Sequence, residues 1–175
     1  MKHVAAIILI VLAGCDAAGG PEGAVARPQE INIPASLRQR NWGPRRNGSC
    51  THAAVVTLLA WQNRPHTSAR WRATHAGGET PESLAAKLSD VRFALSDPLD
   101  VTFLERAIET RRACGVAIDD GEHMVVLVSL DERAGFIDVN APGHIQYMPR
   151  DQFLAQARWA ITVVYSPLPP LPCSS

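Results

Sequence analysis

The stretch Asn47-Gly48-Ser49-Cys50-Thr51-His52-Ala53-Ala54-Val55-Val56-Thr57-Leu58-Leu59-Ala60-Trp61-Gln62 runs from a loop of turn formers straight into an almost wholly apolar segment, with a cysteine at the junction. Ser49, or Asn47 slightly earlier, suits the cap of a helix. Apolar residues at 53 to 56 and 58 to 61 leave that helix no polar face, so it is expected inside the domain. A thiol on its first turn sits at the positive end of the helix dipole, beside backbone N–H groups the helix itself does not use. That position lowers the thiol pKa and offers donors to a developing oxyanion. Cys50 is therefore a candidate nucleophile, and the rest of the chain can be searched for a base.

C-terminal to this helix the chain is polar and mixed from Arg64 to Thr80, with Trp71 and His75 in an irregular helix and loop. Thr80-Pro81-Glu82-Ser83-Leu84 has the cap, first-position proline and acid that begin a short helix. Asp97-Pro98 is a break, and the apolar spacing of Val101, Leu104 and Ile108 predicts an amphipathic helix ending near Arg112. From Cys114 the pattern becomes one of strands: Cys114 to Ile118, Met124 to Leu130, Gly135 to Val139 and Ile145 to Met148, each separated by a short turn. Such close succession favours an antiparallel meander. A short helix from Pro149 and a last strand from Trp159 to Tyr165 follow. A helical first half and an antiparallel second half define an α+β fold.

A catalytic cysteine needs an imidazole and a group to hold it. His52 lies on the same helix and points elsewhere; His66 and His75 sit in the polar region, and His144 lies in a turn. His123 stands at the mouth of a strongly apolar strand, after Asp119-Asp120-Gly121-Glu122. The next strand, Gly135-Phe136-Ile137-Asp138-Val139-Asn140, places Asp138 and Asn140 on one face by the two-residue period, and antiparallel pairing returns it beside His123. Taken singly, each of these residues has a structural reading: a small core cysteine, a strand-end histidine, a turn asparagine. Trp61, Trp71 and Trp159 read as packing, and Asp119-Asp120 as a solvated turn.

A helix-borne cysteine, a strand beginning with histidine, and a strand ending in Asp or Asn before a proline resemble the papain-like cysteine peptidase superfamily. The segments Glu122-His123-Met124-Val125-Val126-Leu127-Val128, Gly135 to Gly143 and Asp151-Gln152-Phe153-Leu154 are most similar to its bacteriocin-processing peptidase-like branch. The resemblance covers roughly residues 39 to 165. It implies a buried cysteine helix packed on an antiparallel sheet, with Cys50 as nucleophile, His123 as general base and Asn140 as the orienting residue. Asp138 is the alternative third member, as in transglutaminase-like relatives. The backbone N–H of Cys50 would form half of the oxyanion hole. The family places a glutamine about six residues before the cysteine, where this chain has Pro44; Gln39, Asn41 and Asn47 are the substitutes. Three functions follow: a cysteine peptidase, a catalytically inactive peptide- or partner-binding module, or a transglutaminase-like acyl transferase.

At the other end, Met1-Lys2-His3 and the apolar run Val4 to Leu12 are too short to span a bilayer, which needs about 20 residues, and read as an export signal. The run ends in Leu12-Ala13-Gly14-Cys15, which resembles a lipoprotein signal, implying cleavage after residue 14, lipidation of Cys15 and a membrane-anchored protein of the bacterial cell envelope. Residues 15 to 36, with their Ala, Gly and Pro, read as a tether, residues 37 to 166 as one domain, and residues 167 to 175 as a proline-rich tail. Seventeen basic and seventeen acidic residues balance, giving no indication of a nucleic-acid partner. No zinc spacing or phosphate loop occurs, so neither a metal nor another cofactor is expected, and a peptide or protein is the expected substrate. Of the remaining cysteines, Cys114 and Cys173 can pair in an oxidising compartment, or Cys114 can be buried alone.

Overall fold

The computed structural model describes residues 30–43 and 48–165. Helix α1 (Cys50–Trp61) carries the apolar stretch, and every residue of it except Cys50 and Ala60 is buried. Helices α2 (Pro65–Thr74) and α3 (Pro81–Lys87) follow, each with proline in its first turn, where the missing N–H costs nothing. Strand β1 (Phe93–Ser96) precedes α4 (Val101–Glu109), whose first turn is capped by the Asp100 carboxylate accepting from Thr102 N–H. Then come β2 (Cys114–Ile118), β3 (His123–Leu130), β4 (Arg133–Asp138), β5 (Gln146–Pro149), α5 (Arg150–Gln156) and β6 (Trp159–Val163).

The six strands form one antiparallel sheet in the order β1-β6-β2-β3-β4-β5. The expected meander is the β2 to β5 portion. The last strand returns to lie beside β2, and β1, for which the sequence carried no strand signal, pairs on its outer side. The central strands β2, β3 and β6 are buried almost throughout, as their unbroken apolar runs require. Helix α1 packs on all three. Its close approach depends on a residue with no side chain: a Cβ at Gly115 in β2 would lie 3.4 Å from Ala54 Cβ of the helix and 3.1 Å from Met124 Sδ.

Three expectations are revised. The tether does not reach residue 36: Ile31 and Ile33 are fully buried, and Ile31 N–H donates to Val128 O (2.9 Å). Val128 lies where the β3–β4 register shifts between Leu127 and Ser129, and the incoming segment uses the carbonyl that the irregularity releases. Ser49 occupies the cap position of α1 but its hydroxyl does not cap; Ser49 Oγ instead accepts from Gly77 N–H (3.0 Å). The polar stretch after α1 is more regular than expected, forming α2 with Trp71 buried. By contrast, Thr80 and Ser83 make a reciprocal capping box at α3. Cys114 is fully buried, and burial alone pushes its thiol far above the ordinary range. Cys15, Asn47, Cys173, the signal and the tail lie outside the described residues.

Candidate active site

Cys50 begins α1 and is half-buried. His123 begins β3, and its position is set by the tight β2–β3 connection, which registers His123 opposite Ile118. Asp119, Asp120 and Gly121 take positive φ values of 53°, 57° and 90°. Asp tolerates that region better than most side chains and Gly enters it freely. The expected solvated turn is thus also the device that aims the histidine, with Arg158 holding the Asp120 carboxylate (2.6 Å).

The imidazole lies between the thiol and a carboxylate. Nε2 is 2.9 Å from Asp138 Oδ1 and 3.5 Å from Asn140 Nδ2. With Nε2–H donating to the carboxylate, Nδ1 is the ring nitrogen left for Cys50, with which His123 shares a side-chain hydrogen bond. Asp138, expected as the alternate, is therefore the nearer group. The Asn140 amide stands farther from the ring, and its Oδ1 accepts from Asn41 Nδ2 (2.9 Å). The reason is local: β4 ends at Asp138, and Asn140 lies beyond it in a turn closed by Ala141 N–H donating to Asp138 O (2.9 Å), so the two-residue period no longer applies. Asn140 N–H in turn donates to Asp138 Oδ1 (2.8 Å), fixing the carboxylate that faces the ring.

The electrostatics of the two central groups are reciprocal. Burial is the largest influence on Cys50 and disfavours the thiolate. It is outweighed by the His123 hydrogen bond, the Met124 backbone N–H, the His123 charge and the Thr51 hydroxyl, and the thiol lies below its ordinary value. His123 is pulled up first by its bond with Cys50, then by the bond to and charge of Asp138, against burial. Both directions favour a thiolate–imidazolium pair.

A cleft of about 920 Å³ opens over these groups. Backbone comes to its surface at Gly43, Gly48, Gly78 and Gly121. Of the side chains considered as second oxyanion donors, Gln39 is directed elsewhere, with Nε2 donating to Leu37 O and Oε1 accepting from Arg72. Asn41 lines the cleft together with Cys50. Asn47 is among the residues not described. Among the described residues no group of three or more His, Cys, Asp and Glu is arranged to hold a metal. The feature that sequence reasoning missed is Glu79, which lines the same cleft. No short-range signal marks it, because its partner His52 is 27 residues away.

The α+β fold, with the cysteine helix packed on the antiparallel sheet, is shared with a solved protein. A double glycine motif protease from an AMS/PCAT transporter, whose crystal structure is in complex with the leader peptide, superimposes with a TM-score of 0.52 over 77% of this chain and 92% of that one, at 14% identity. No family model and no curated protein matches the sequence.

Proposed function

We propose that this chain is a papain-like thiol hydrolase that cleaves peptides, anchored to the cell envelope through a lipidated Cys15. The observation that carries the hydrolase reading is the line Cys50, His123, Asp138: a thiol held below its ordinary pKa, an imidazole held above its own, and a carboxylate 2.9 Å from the far ring nitrogen. The anchoring rests on the Leu12-Ala13-Gly14-Cys15 pattern alone.

In this reading the Cys50 thiolate attacks the peptide carbonyl carbon and the carbonyl electron pair moves to oxygen, where the Cys50 backbone N–H and the Asn41 amide receive it. The tetrahedral species collapses as His123 Nδ1–H protonates the departing amine, leaving a thioester. Neutral His123 then removes a proton from water, whose oxygen attacks the thioester and releases the acid and the thiolate. Asp138 holds the ring orientation and stabilises its positive charge throughout. The glycines along the cleft let an extended peptide lie against main chain. Together with the neighbour's double-glycine motif and leader peptide, they point to substrates with small residues before the scissile bond.

The test uses quenched fluorescent peptides with Gly-Gly preceding the cleavage position, product masses, and iodoacetamide labelling. Hydrolysis by the wild type, lost at least 10³-fold in Cys50→Ala, with Cys50 alkylated near neutral pH much faster than free cysteine, is the expected result. A folded protein that binds such peptides without turnover, and whose Cys50 reacts like a free thiol, is instead a peptide- or partner-binding module. Incorporation of an added primary amine into the acyl product identifies an acyl transferase.

A further inference from the structure

His52 lies two positions after the nucleophile, fully buried, and faces away from it. Its Nδ1 accepts from Trp71 Nε1–H (3.1 Å), which fixes the proton on Nε2, and Nε2–H donates to Glu79 Oε1 (2.8 Å). The Glu79 side chain is only 2% exposed although the residue lines the cleft, and it also accepts from Ser83 Oγ (2.6 Å) and from Lys87 Nζ. The segment leading to Glu79 is tied to the same helix start a second time, through Gly77 N–H and Ser49 Oγ (3.0 Å). Its beginning is held by Trp42 Nε1–H donating to His75 O (3.2 Å) and by the His75 ring stacked on Trp71, with centroids 3.9 Å apart. Ser49 and His52, the two residues that bracket Cys50-Thr51, therefore hold this short segment at Gly77 and at Glu79, and its Gly78 and Glu79 line the cleft. A buried carboxylate is expensive unless fully bonded. The bonds of this one go to His52, Ser83 and Lys87, none of them a reacting group, so they serve position and not the reacting atoms.

We propose that His52 and Glu79 are positioning residues that lock the 75–79 segment to the first turn of α1, so that the cleft wall and the nucleophile are held as one unit for an extended peptide. Substrate binding then depends on this pair while the intrinsic reactivity of the thiol does not. The kinetic half of the test rests on the hydrolase reading; the structural half does not.

Glu79→Ala is compared with Glu79→Gln, whose amide oxygen can still accept from His52 Nε2–H. Rates are normalised to the fraction of Cys50 that an irreversible alkylator titrates. For Glu79→Ala, KM for the peptide rises about tenfold or more with kcat changed less, the iodoacetamide rate at Cys50 stays within twofold of wild type, and amide hydrogen exchange quickens over residues 75–79. Glu79→Gln restores most of the KM and the exchange protection. Should Glu79→Ala not fold, His52→Asn carries the same test, because Glu79 then keeps Ser83 and Lys87. Unchanged KM with unchanged exchange in these variants overturns the proposal; so does a loss of alkylation rate equal to the loss of turnover, which would place the effect on the thiol itself. If the wild type hydrolyses no peptide, the hydrolase reading fails separately. The wall is then tested by exchange and by the affinity of the Cys50→Ala protein for the same peptides, with and without Glu79→Ala.

Discussion

Two side chains compete for the far nitrogen of His123, and their chemistry differs enough to separate them. Asp138 brings a negative charge and an acceptor at 2.9 Å; Asn140 brings a neutral amide at 3.5 Å that is already engaged with Asn41. Asp138→Asn is expected to lower kcat by about 10²-fold or more, the scale on which positioned acid–base catalysis operates, whereas Asn140→Ala costs less than about tenfold. The reverse order in a kinetic comparison would make Asn140 the orienting group. The pH dependence follows from the same contacts. Cys50 ionises below its ordinary value and His123 loses its proton above its own, so activity falls as pH drops through the first and again as pH rises through the second. In His123→Ala the alkylation midpoint of Cys50 moves up, because two of the influences that lower it vanish while burial remains; iodoacetamide rates measured against pH read this directly.

At the level of elements, the site exists because a helix without a polar face is pressed onto the middle of a sheet. Its first turn emerges where β3 begins, which puts Cys50 beside His123. Gly115 is the contact that permits this spacing, since its neighbours already stand 3.1 to 3.4 Å from where a Cβ would be. Gly115→Val is expected to destabilise the fold by about 1–3 kcal/mol through overpacking. It should also slow Cys50 alkylation per folded molecule, because pushing α1 off β2 separates thiol from imidazole; urea unfolding and labelling kinetics measure the two effects independently.

Over the whole molecule, the buried His52–Glu79 pair couples stability to acidity. Burial, the largest influence on His52, holds its pKa below the ordinary 6.5, so the folded state binds a proton there less readily than the unfolded chain. Stability on this account is lost as pH falls below about 6.5 toward the folded value. Glu79 is also lowered, its burial being outweighed by Lys87, Ser83 and His52, and it adds a loss as pH falls from about 4.5 through its folded value. The melting temperature should therefore decline as pH falls below about 6.5. In His52→Asn that slope should flatten, whatever the absolute stability of the variant; calorimetry across this range checks both.

What could be read from residues alone was what depends on local pattern: an interior helix because its polar face is missing, a run of antiparallel strands because short apolar segments alternate with turns, and His123 because a polar ring stands at the end of such a strand. Ile31 and Ile33 went unread because two apolar residues around Asn32 make no periodicity, and β1 because a run of four residues, three of them half-buried, makes little more. Tertiary structure alone decided that β6 inserts beside β2, that Asp138 and not Asn140 lies nearer the ring, and that Glu79 reaches across 27 residues to His52. These depend on where strands end and on which distant surfaces are pressed together. That is a matter of packing free energy summed over the whole chain, which no short window of sequence contains.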